Sequence, residues 1–266
     1  MLNIQEADRQ NPAFLGKTDM QNVFLDIVTY PADVNSKHLG WIIPKNKKVF
    51  SIHYRQLDYG RFDGYDEDGN PLDSYNSTDN WFNSSLSFQS GMFSYGMSAG
   101  FFYSRLAQSE SVILTGTIGG MFSLEKEKFQ FGFSLKNFGT VLNKFTKTEE
   151  SLPTSGGLSI SKKLAHLPLK LNLDAEFFAD NYQMFFLSGV FTFSPTFYLN
   201  WGLNSDKFNQ QIESGVTKDL ITGTGIGLGF KTEKYTIETG GYFYNPGNWV
   251  FGFSFGINYE SINRDK

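Results

Sequence analysis

The stretch that decides the fold lies near the C-terminus: Trp249-Val250-Phe251-Gly252-Phe253-Ser254-Phe255-Gly256-Ile257-Asn258-Tyr259. Every second residue in it is aromatic or aliphatic, and most of the residues between are glycine or polar. Because side chains i and i+2 share one face of a β-strand, the stretch predicts a strand with one strongly apolar face. It lacks the i, i+3, i+4, i+7 spacing of an amphipathic helix.

The same alternation recurs through the chain, for example at 129–135, 169–177 and 226–230. When each alternating segment is counted as one strand, the sequence predicts about fifteen strands, including one at 211–218. Many of them are about 9–11 residues long, the length that a tilted strand needs to cross a bilayer. Two longer polar connections are expected, at Asp58–Asn80 and Gly139–Thr154. No change in composition suggests a second compact domain.

The composition agrees with a β-protein and excludes several classes. The 266 residues include 28 Phe and 27 Gly, but only 19% are charged, so the chain is too apolar and aromatic to be disordered. The absence of Cys excludes disulfides, cysteine nucleophiles and thiolate metal sites. With a net charge of −4 there is no basic surface of the kind that binds nucleic acid, so no nucleic-acid partner is expected.

Two architectures produce this alternation: a soluble β-sandwich or barrel, such as a lectin-like binder, and a transmembrane β-barrel. About fifteen long strands would give a soluble sheet more apolar surface than a single core can bury. Trp41, Trp81 and Trp249 lie at predicted strand ends, where an interfacial aromatic belt would place them, whereas Trp201 lies in mid-strand.

The sequence therefore predicts an all-β fold, an antiparallel transmembrane β-barrel of about 14 strands. Its apolar face would contact lipid, and its polar face would line the lumen. The clearest polar face belongs to the predicted strand at 168–178, and its lumen-facing residues are expected to be Lys170, Asn172, Asp174 and Glu176.

Motifs that could carry a binding site fail on inspection. The segment 11–18 ends like a phosphate-binding loop, but Asn11 replaces the first glycine and no apolar strand precedes it. The acidic stretch 63–73 matches a calcium loop only in part, because Gly64 and Tyr75 occupy the first and twelfth ligand positions. A solvated turn is the preferred interpretation, with a weak surface cation site as the alternative.

No catalytic constellation is evident either. The histidines His38, His53 and His166 are scattered, and no nucleophile-elbow motif is present. Asp174 and Glu176 share a strand face, but they are better explained as lumen-lining carboxylates than as an acid–base pair. The sequence predicts a non-enzymatic protein with no catalytic residues, no metal site and no cofactor.

Three segments together carry a resemblance to a known family. They are Asn11-Pro12-Ala13, Lys136-Asn137-Phe138-Gly139, and a loop motif that ends near Asp79. The loop motif consists of Tyr59, Gly60, Phe62, Gly64, Asp66, Glu67 and Gly69. With these segments the chain resembles the PorV/PorQ family of outer-membrane proteins, which is itself similar to the FadL-type transporters. The loop motif points to the PorQ-like branch.

The resemblance implies a FadL-like barrel of fourteen strands in the outer membrane of Bacteroidota. It implies an accessory component of the type IX secretion system, which positions or carries secreted proteins and the surface attachment machinery. The partners would be outer-membrane lipid and other secretion or attachment proteins. Asn11, Pro12 and Ala13 would be associated with an N-terminal plug, so the implied division is 1–22 for the plug-associated segment and 23–266 for the barrel.

The signal peptide of an exported protein is absent from the sequence and is expected upstream of Met1. The alternative function is a FadL-like channel for hydrophobic small molecules, which requires an apolar path through the lumen. The charged residues Lys170, Asp174 and Glu176 argue against such a path along their strand.

Overall fold

The computed structural model describes residues 11–126, 128–145, 151–205, 222–245 and 248–261, and their strands form one closed antiparallel barrel. No helix among these residues is long and apolar enough to cross a membrane. The fourteen strands are β1 (Met20–Thr29), β2 (Asn35–Lys45), β3 (Lys48–Tyr65), β4 (Pro71–Ser90), β5 (Phe93–Leu106), β6 (Ser109–Leu124), β7 (Phe129–Asn143), β8 (Ser155–Lys163), β9 (Leu169–Phe178), β10 (Gln183–Thr192), β11 (Phe197–Asn204), β12 (Thr224–Lys231), β13 (Tyr235–Asn245) and β14 (Asn248–Ser261).

The predicted fold class is confirmed. Each strand pairs with its neighbour in the sequence, and β1 pairs with β14, from Met20↔Ser261 to Thr29↔Phe251, to close the barrel. Closure leaves no unpaired sheet edge within the wall, which a membrane requires because lipid cannot hydrogen-bond to the backbone. The strand predicted at 211–218 lies outside the described residues, and the predicted boundary at 22/23 falls inside β1.

The two faces of the wall are chemically opposite. On β14, Phe251 and Phe253 are about half exposed on the outside, at 57% and 47%. Ser254, which follows Phe253 in the sequence, points to the inside and is buried. The same contrast holds on β9, where Leu173 is 51% exposed on the outside. An apolar exterior around a polar interior is the arrangement of a barrel that spans a bilayer.

Part of the glycine excess has a packing explanation. Aromatic rings on the outer surface lie flat across glycines of the neighbouring strand. A Cβ at Gly120 would lie 2.5 Å from the Phe133 ring, and one at Gly189 would lie 2.7 Å from the Trp201 ring. Glycine therefore lets a large cross-strand ring cover the backbone, which compensates for the side chain that glycine lacks.

The wall is uneven in height. Strands β3–β7, here called the tall wall, are 14–20 residues long, whereas β8–β12, the short wall, are 8–10 residues long. At about 3.3 Å per residue and a tilt of about 40°, the short strands rise roughly 20–25 Å, no more than an apolar band of about 25 Å. The tall wall must therefore project beyond the membrane.

The projection is greatest at the β3–β4 hairpin. Pairing of β3 with β2 ends at Asn35↔Asp58, and pairing of β4 with β5 ends at Ser77↔Leu106, yet β3 and β4 continue to pair with each other as far as Tyr65↔Pro71. Residues 59–76, here called the ribbon, are thus a two-stranded hairpin whose outer edges pair with no other strand among the residues that the structure describes.

The prediction of a long polar loop at Asp58–Asn80 was wrong, because β3 and β4 continue through most of this region as the ribbon. Outside the membrane neither face of a strand needs to be apolar, so the alternation that reveals a strand disappears. The connection Gly139–Thr154 is shortened for the same reason, since β7 runs on to Asn143. The placement of Trp81 in an outer belt was also wrong, because Trp81 packs inside the barrel against Phe102 at 4.4 Å between ring centroids.

The two ends of the barrel differ. At one end the strands are joined by connections of two to five residues, and the start of β1 and the end of β14 lie there as well. We call this the short-turn end. The opposite end carries the ribbon and the longer connections between β7 and β8 and between β11 and β12.

Candidate functional site in the barrel interior

A short segment lies inside the barrel before the first strand. Residues Pro12–Lys17 form a single 3-10 helix, with Asn11 as its N-cap and Pro12 at its first position. Asn11 Oδ1 accepts a hydrogen bond from the Ala13 backbone N–H at 3.0 Å, and Thr18 N–H donates to Leu15 O at 2.8 Å. Asn-Pro is a favourable start for such a turn, since Asn caps the free N–H groups and Pro lacks one. We call Asn11–Lys17 the inner segment.

The inner segment is seated on the inner face of the tall wall. Asn11 Nδ2 donates to the backbone carbonyls of Gly120 at 3.2 Å and Phe133 at 3.1 Å. Glycines make room for it, because a Cβ at Gly96 would lie 2.6 Å from the Pro12 carbonyl carbon and a Cβ at Gly119 would overlap the Asn11 carboxamide. The seat is therefore specific in both shape and hydrogen bonding. It places the motif residues Asn11, Pro12 and Ala13 together in the interior.

The residues predicted to line the lumen form a connected polar face on β9. Glu176 Oε1 accepts a hydrogen bond from Ser155 Oγ at 2.6 Å and pairs with Lys136 Nζ at 2.6 Å. Asn172 Nδ2 donates to Ser188 Oγ at 3.3 Å. We call Lys170, Asn172, Asp174 and Glu176 the charged ladder.

The charged ladder meets both walls of the barrel. Lys136 is the last residue of β7 to pair with β8, through Lys136↔Ser155, so its ion pair with Glu176 lies where the tall wall joins the short wall. A pocket of about 30 Å³, enough for a water molecule, separates the ladder from the inner segment and is lined by both Glu176 and Asn11.

A second buried polar chain, which sequence analysis did not find, crosses β1, β2 and β3. Asp26 Oδ2 lies 2.9 Å from His38 Nδ1, and His38 Nε2 lies 3.2 Å from His53 Nδ1. His53 Nε2 in turn lies 2.9 Å from Ser51 Oγ. The β1–β2 hairpin brings Asp26 opposite His38. The sequence separation of the two residues is compatible with this pairing, but the pairing can be recognised only once the register of the hairpin is known.

The hydrogen-bonded series Asp26, His38, His53 and Ser51 is here called the histidine chain. It has the residue types of a serine hydrolase, but it is closed to substrate. Ser51 is fully buried, at 0% exposure, so no substrate can reach its hydroxyl in this arrangement. The chain instead satisfies polar groups that the barrel buries. Among the residues that the structure describes, no cluster of His, Asp and Glu is arranged to hold a metal ion.

Polar residues continue around the interior beyond this chain. The Tyr198 hydroxyl donates a short hydrogen bond to Glu238 Oε1, and the Tyr198 ring lies over Gly229. Strand pairing aligns these residues with the histidine chain in one row, which consists of Tyr198, Gly229, Glu238, Ser254, Asp26 and His38. The interior is therefore polar on the β11–β2 side as well as along the charged ladder.

The family loop motif lies in the ribbon. The Tyr59 hydroxyl donates to Asp79 Oδ2 at 2.8 Å, and partial burial together with this bond raises the pKa of Tyr59 to about 12. Gly60 has a φ of +84°, in the left-handed region that favours glycine, and its N–H donates to Asp58 Oδ1 at 2.9 Å. Phe62 stacks on Tyr75 across the hairpin at 5.5 Å.

The tip of the ribbon is a closed turn around Asp66. Its Oδ1 accepts from the backbone N–H groups of Asp68 and Asn70, and its Oδ2 accepts from Asn70 Nδ2 at 2.9 Å. These bonds, with that from the Asn70 side chain foremost, hold the pKa of Asp66 below its usual range. Gly69 supplies the positive φ, +82°, that the turn needs. Glu67 is exposed at the tip. Because both oxygens of Asp66 serve the turn, its geometry favours the solvated turn over a cation site.

Comparison with known proteins supports the fold and no closer relationship. No protein-family model matches the chain, and no curated protein matches it in sequence. The toluene transporter TodX of P. putida shares the fold with a TM-score of 0.56 and 10% identity, over 95% of this chain and 91% of that one. A TodX deltaS2S3 mutant gives a TM-score of 0.57 at 10% identity, over 95% and 93% of the two chains.

A third barrel, the outer membrane protein Omp33 of Acinetobacter baumannii, has a TM-score of 0.53 at 7% identity, over 92% of this chain and all of that one. The fold shared with these proteins and the apolar exterior agree with the expected location in the bacterial outer membrane. The membership of the PorV/PorQ family expected from the motifs remains a prediction.

Proposed function

We propose that this protein is a non-enzymatic accessory barrel of a type IX secretion system. In this proposal it displays the ribbon at the cell surface as a docking site for secreted or surface-attachment proteins, and the inner segment plugs its lumen. The observation that carries the proposal is the position of the three resembling segments. Each of them builds a feature that a plain barrel does not need.

Two of these features are the inner segment, built on Asn11-Pro12-Ala13, and the ribbon, built on the loop motif. The third is an irregularity in β7. Asn137 has a φ of +55°, its N–H donates to Thr117 Oγ1 at 3.4 Å, and its Nδ2 donates to Pro153 O at 3.4 Å. The register between β6 and β7 shifts here, next to Lys136, which pairs with Glu176.

The ribbon is suited to protein contact. Tyr65 and Leu72 expose 64% and 59% of their surface at its tip, where no lipid covers them. The outer edges of both its strands pair with no other described strand, and such edges are common docking sites for extended peptides. Charged residues on the ribbon, among them Asp63 and Asp73, keep it soluble and discourage self-association.

The interior agrees better with a filled barrel than with an apolar conduit. The charged ladder, the histidine chain and Glu238 place ionisable groups on both sides of the lumen. A hydrophobic molecule would have to pass these groups and displace the hydrogen bonds of Asn11.

The second candidate is a channel for hydrophobic small molecules. The observation that favours it is the shared fold with TodX, which is described as a toluene transporter and a monoaromatic hydrocarbon channel. In this alternative the inner segment would be a movable gate.

Deletion and complementation in the source bacterium separate the two. Under our proposal, deletion releases secreted proteins that normally attach to the surface, and the wild-type gene restores their attachment. A Tyr65→Ser/Leu72→Ser variant, changed only at the ribbon tip, should restore attachment poorly. The matched control is Leu142→Ser, which removes another exposed leucine at the same end of the barrel, on β7.

The readout is surface-attached protein in washed cells, with the heat-modifiable gel mobility of each variant as the test of folding. Normal attachment in the deletion strain together with lost hydrocarbon uptake would replace our proposal with the channel. If the ribbon variant and Leu142→Ser lose surface attachment equally, the ribbon is not the docking site.

A further inference from the structure

A cavity near the short-turn end lies between the inner segment and the wall formed by β6–β9. Its volume is about 280 Å³, several times that of a water molecule. It is lined by Lys17, Ser123, Leu124, Glu125, Lys128, Phe129, Gln130, Lys163 and Lys170. We call it the lysine cavity.

The lining of the lysine cavity is strongly basic. It contains four lysines and one glutamate, so the described lining residues carry a net charge of +3. Only one ion pair among them is short, Lys17 Nζ to Glu125 Oε1 at 3.1 Å, and Glu125 is mostly exposed. In a protein with a net charge of −4, this concentration of positive charge in one cavity opposes the overall charge.

Two of these lysines, Lys163 and Lys170, belong to the lumen and not to the lipid face. Lys163 alternates on β8 with the outward Leu158 and Ile160, and Lys170 pairs with it from β9 on the same face. Lys162, one residue before Lys163, points to the outside. The lysine cavity therefore opens to water at the short-turn end of the barrel.

A buried hydroxyl group provides a second, independent observation. Ser123 lines the cavity at only 2% exposure, and its Oγ has no hydrogen-bond partner among the residues that the structure describes. A buried polar atom without a partner is costly, unless a ligand or water supplies one. A hydroxyl group that lines the same cavity as four lysines suits an acceptor with several oxygens.

From the cavity, its charge and this hydroxyl group, we propose that the lysine cavity binds a phosphate group at the short-turn mouth of the barrel. A net charge of +3 favours a doubly charged anion over a single carboxylate, and lysine ammonium groups bind phosphate as point charges. The Ser123 hydroxyl would donate to one of the phosphate oxygens. This binding goes beyond the proposed secretion role and does not depend on it.

The phosphate could come from two sources, a water-borne phosphorylated compound or the head group of a membrane lipid. The experiment uses the whole barrel, purified in a neutral detergent and in phosphate-free buffer. Inorganic phosphate and dihexanoyl phosphatidic acid, a soluble short-chain lipid, are titrated separately by calorimetry, with acetate as the singly charged comparison.

We expect saturable binding of inorganic phosphate, weaker binding of acetate, and a dissociation constant raised roughly fivefold in Lys163→Gln. The matched control, Lys162→Gln, removes the same charge one residue away on the outer face and should change the constant by less than roughly twofold. Similar constants for phosphate and phosphatidic acid indicate a water-borne ligand. Much tighter binding of phosphatidic acid, with the same dependence on Lys163, indicates a lipid head group.

Two results overturn the proposal. One is the absence of saturable binding for both phosphate compounds by a barrel that shows its normal heat-modifiable mobility. The other is an equal loss of binding in Lys162→Gln and Lys163→Gln, which would show that the general charge of the protein and not the cavity attracts the anion. Neither result bears on the secretion phenotype, so the two proposals fail separately.

Discussion

The tall wall and the short wall of this barrel are built from the same alternating pattern but differ in what they contact. The strands of the short wall, β8–β12, are about as long as the apolar layer of the membrane is thick. Their outer face is apolar and their inner face is polar. The tall wall, β3–β7, seats the inner segment on one side and continues outward as the ribbon. Regular alternation therefore occurs where a strand separates lipid from the lumen, and strands that depart from it lie outside the membrane or contact the inner segment.

The largest expected effect concerns the two faces of the short wall. Leu173→Arg places a charge on the lipid face in the middle of β9 and should destabilise the barrel by about 2–4 kcal/mol. Asn172→Arg places the same charge one residue away, inside the lumen, and should be tolerated. The measurement is reversible denaturant unfolding in lipid vesicles. Equal losses for the two variants would mean that the faces of the short wall are assigned wrongly.

The next effect concerns the seat of the inner segment on the tall wall. Gly119→Ala introduces a Cβ that overlaps the Asn11 carboxamide and should break its two hydrogen bonds, at a cost of about 1–2 kcal/mol. The freed segment should also become cleavable by trypsin after Lys17. The control is Gly156→Ala on the short wall, where a Cβ meets nothing within 4 Å.

Thermal melting and limited proteolysis together check this prediction. If Gly119→Ala leaves Lys17 as protected as the wild-type protein does, the inner segment is not held by the seat described above. If Gly156→Ala has the same effect as Gly119→Ala, the cost comes from changing a strand glycine and not from the seat.

The smallest expected effect is on the ribbon turn, where the pKa of Asp66 is lowered. Because the folded pKa lies below the unfolded value of about 3.9, the turn keeps its full stability above that pH. The contribution is lost as the pH falls through the lowered pKa. The amide protons of Asp68 and Asn70 should therefore lose protection from exchange in acid, as measured by NMR.

A turn at the short-turn end provides the comparison. The Tyr235 N–H donates to Thr232 Oγ1 at 2.9 Å, and a hydroxyl group does not titrate in acid. Protection of Tyr235 should therefore be insensitive over the same range. Loss of protection at both turns together would indicate global unfolding and not titration of Asp66.

Sequence alone was sufficient for the short wall. At Leu169–Phe178 the apolar and polar residues alternate without interruption because one face meets lipid and the other meets water. The closed barrel follows from repeating that pattern, and its fourteen strands agree with the predicted number of about 14.

The tall wall was harder to predict for physical reasons. The ribbon is surrounded by water, so no apolar face reveals it, and its strands were predicted as a loop. Trp81 faces the lumen because it shares its face of β4 with the buried Ser85 and Ser87, and its contact with Phe102 on the next strand depends on register. The chain from Asp26 through His38 to His53 depends on register as well, since the three residues lie on three strands.

We expect the barrel to cross the membrane with the ribbon outside the cell and the short-turn end facing the periplasm. Because the chain contains no cysteine, single cysteines can report on this without background. Tyr65→Cys on the ribbon should react with a membrane-impermeant maleimide on intact cells, whereas Lys234→Cys in the turn between β12 and β13 should react only after the outer membrane is permeabilised. Labelling of Lys234→Cys but not Tyr65→Cys on intact cells would contradict the orientation, and equal labelling of both in a soluble fraction would contradict the membrane barrel itself.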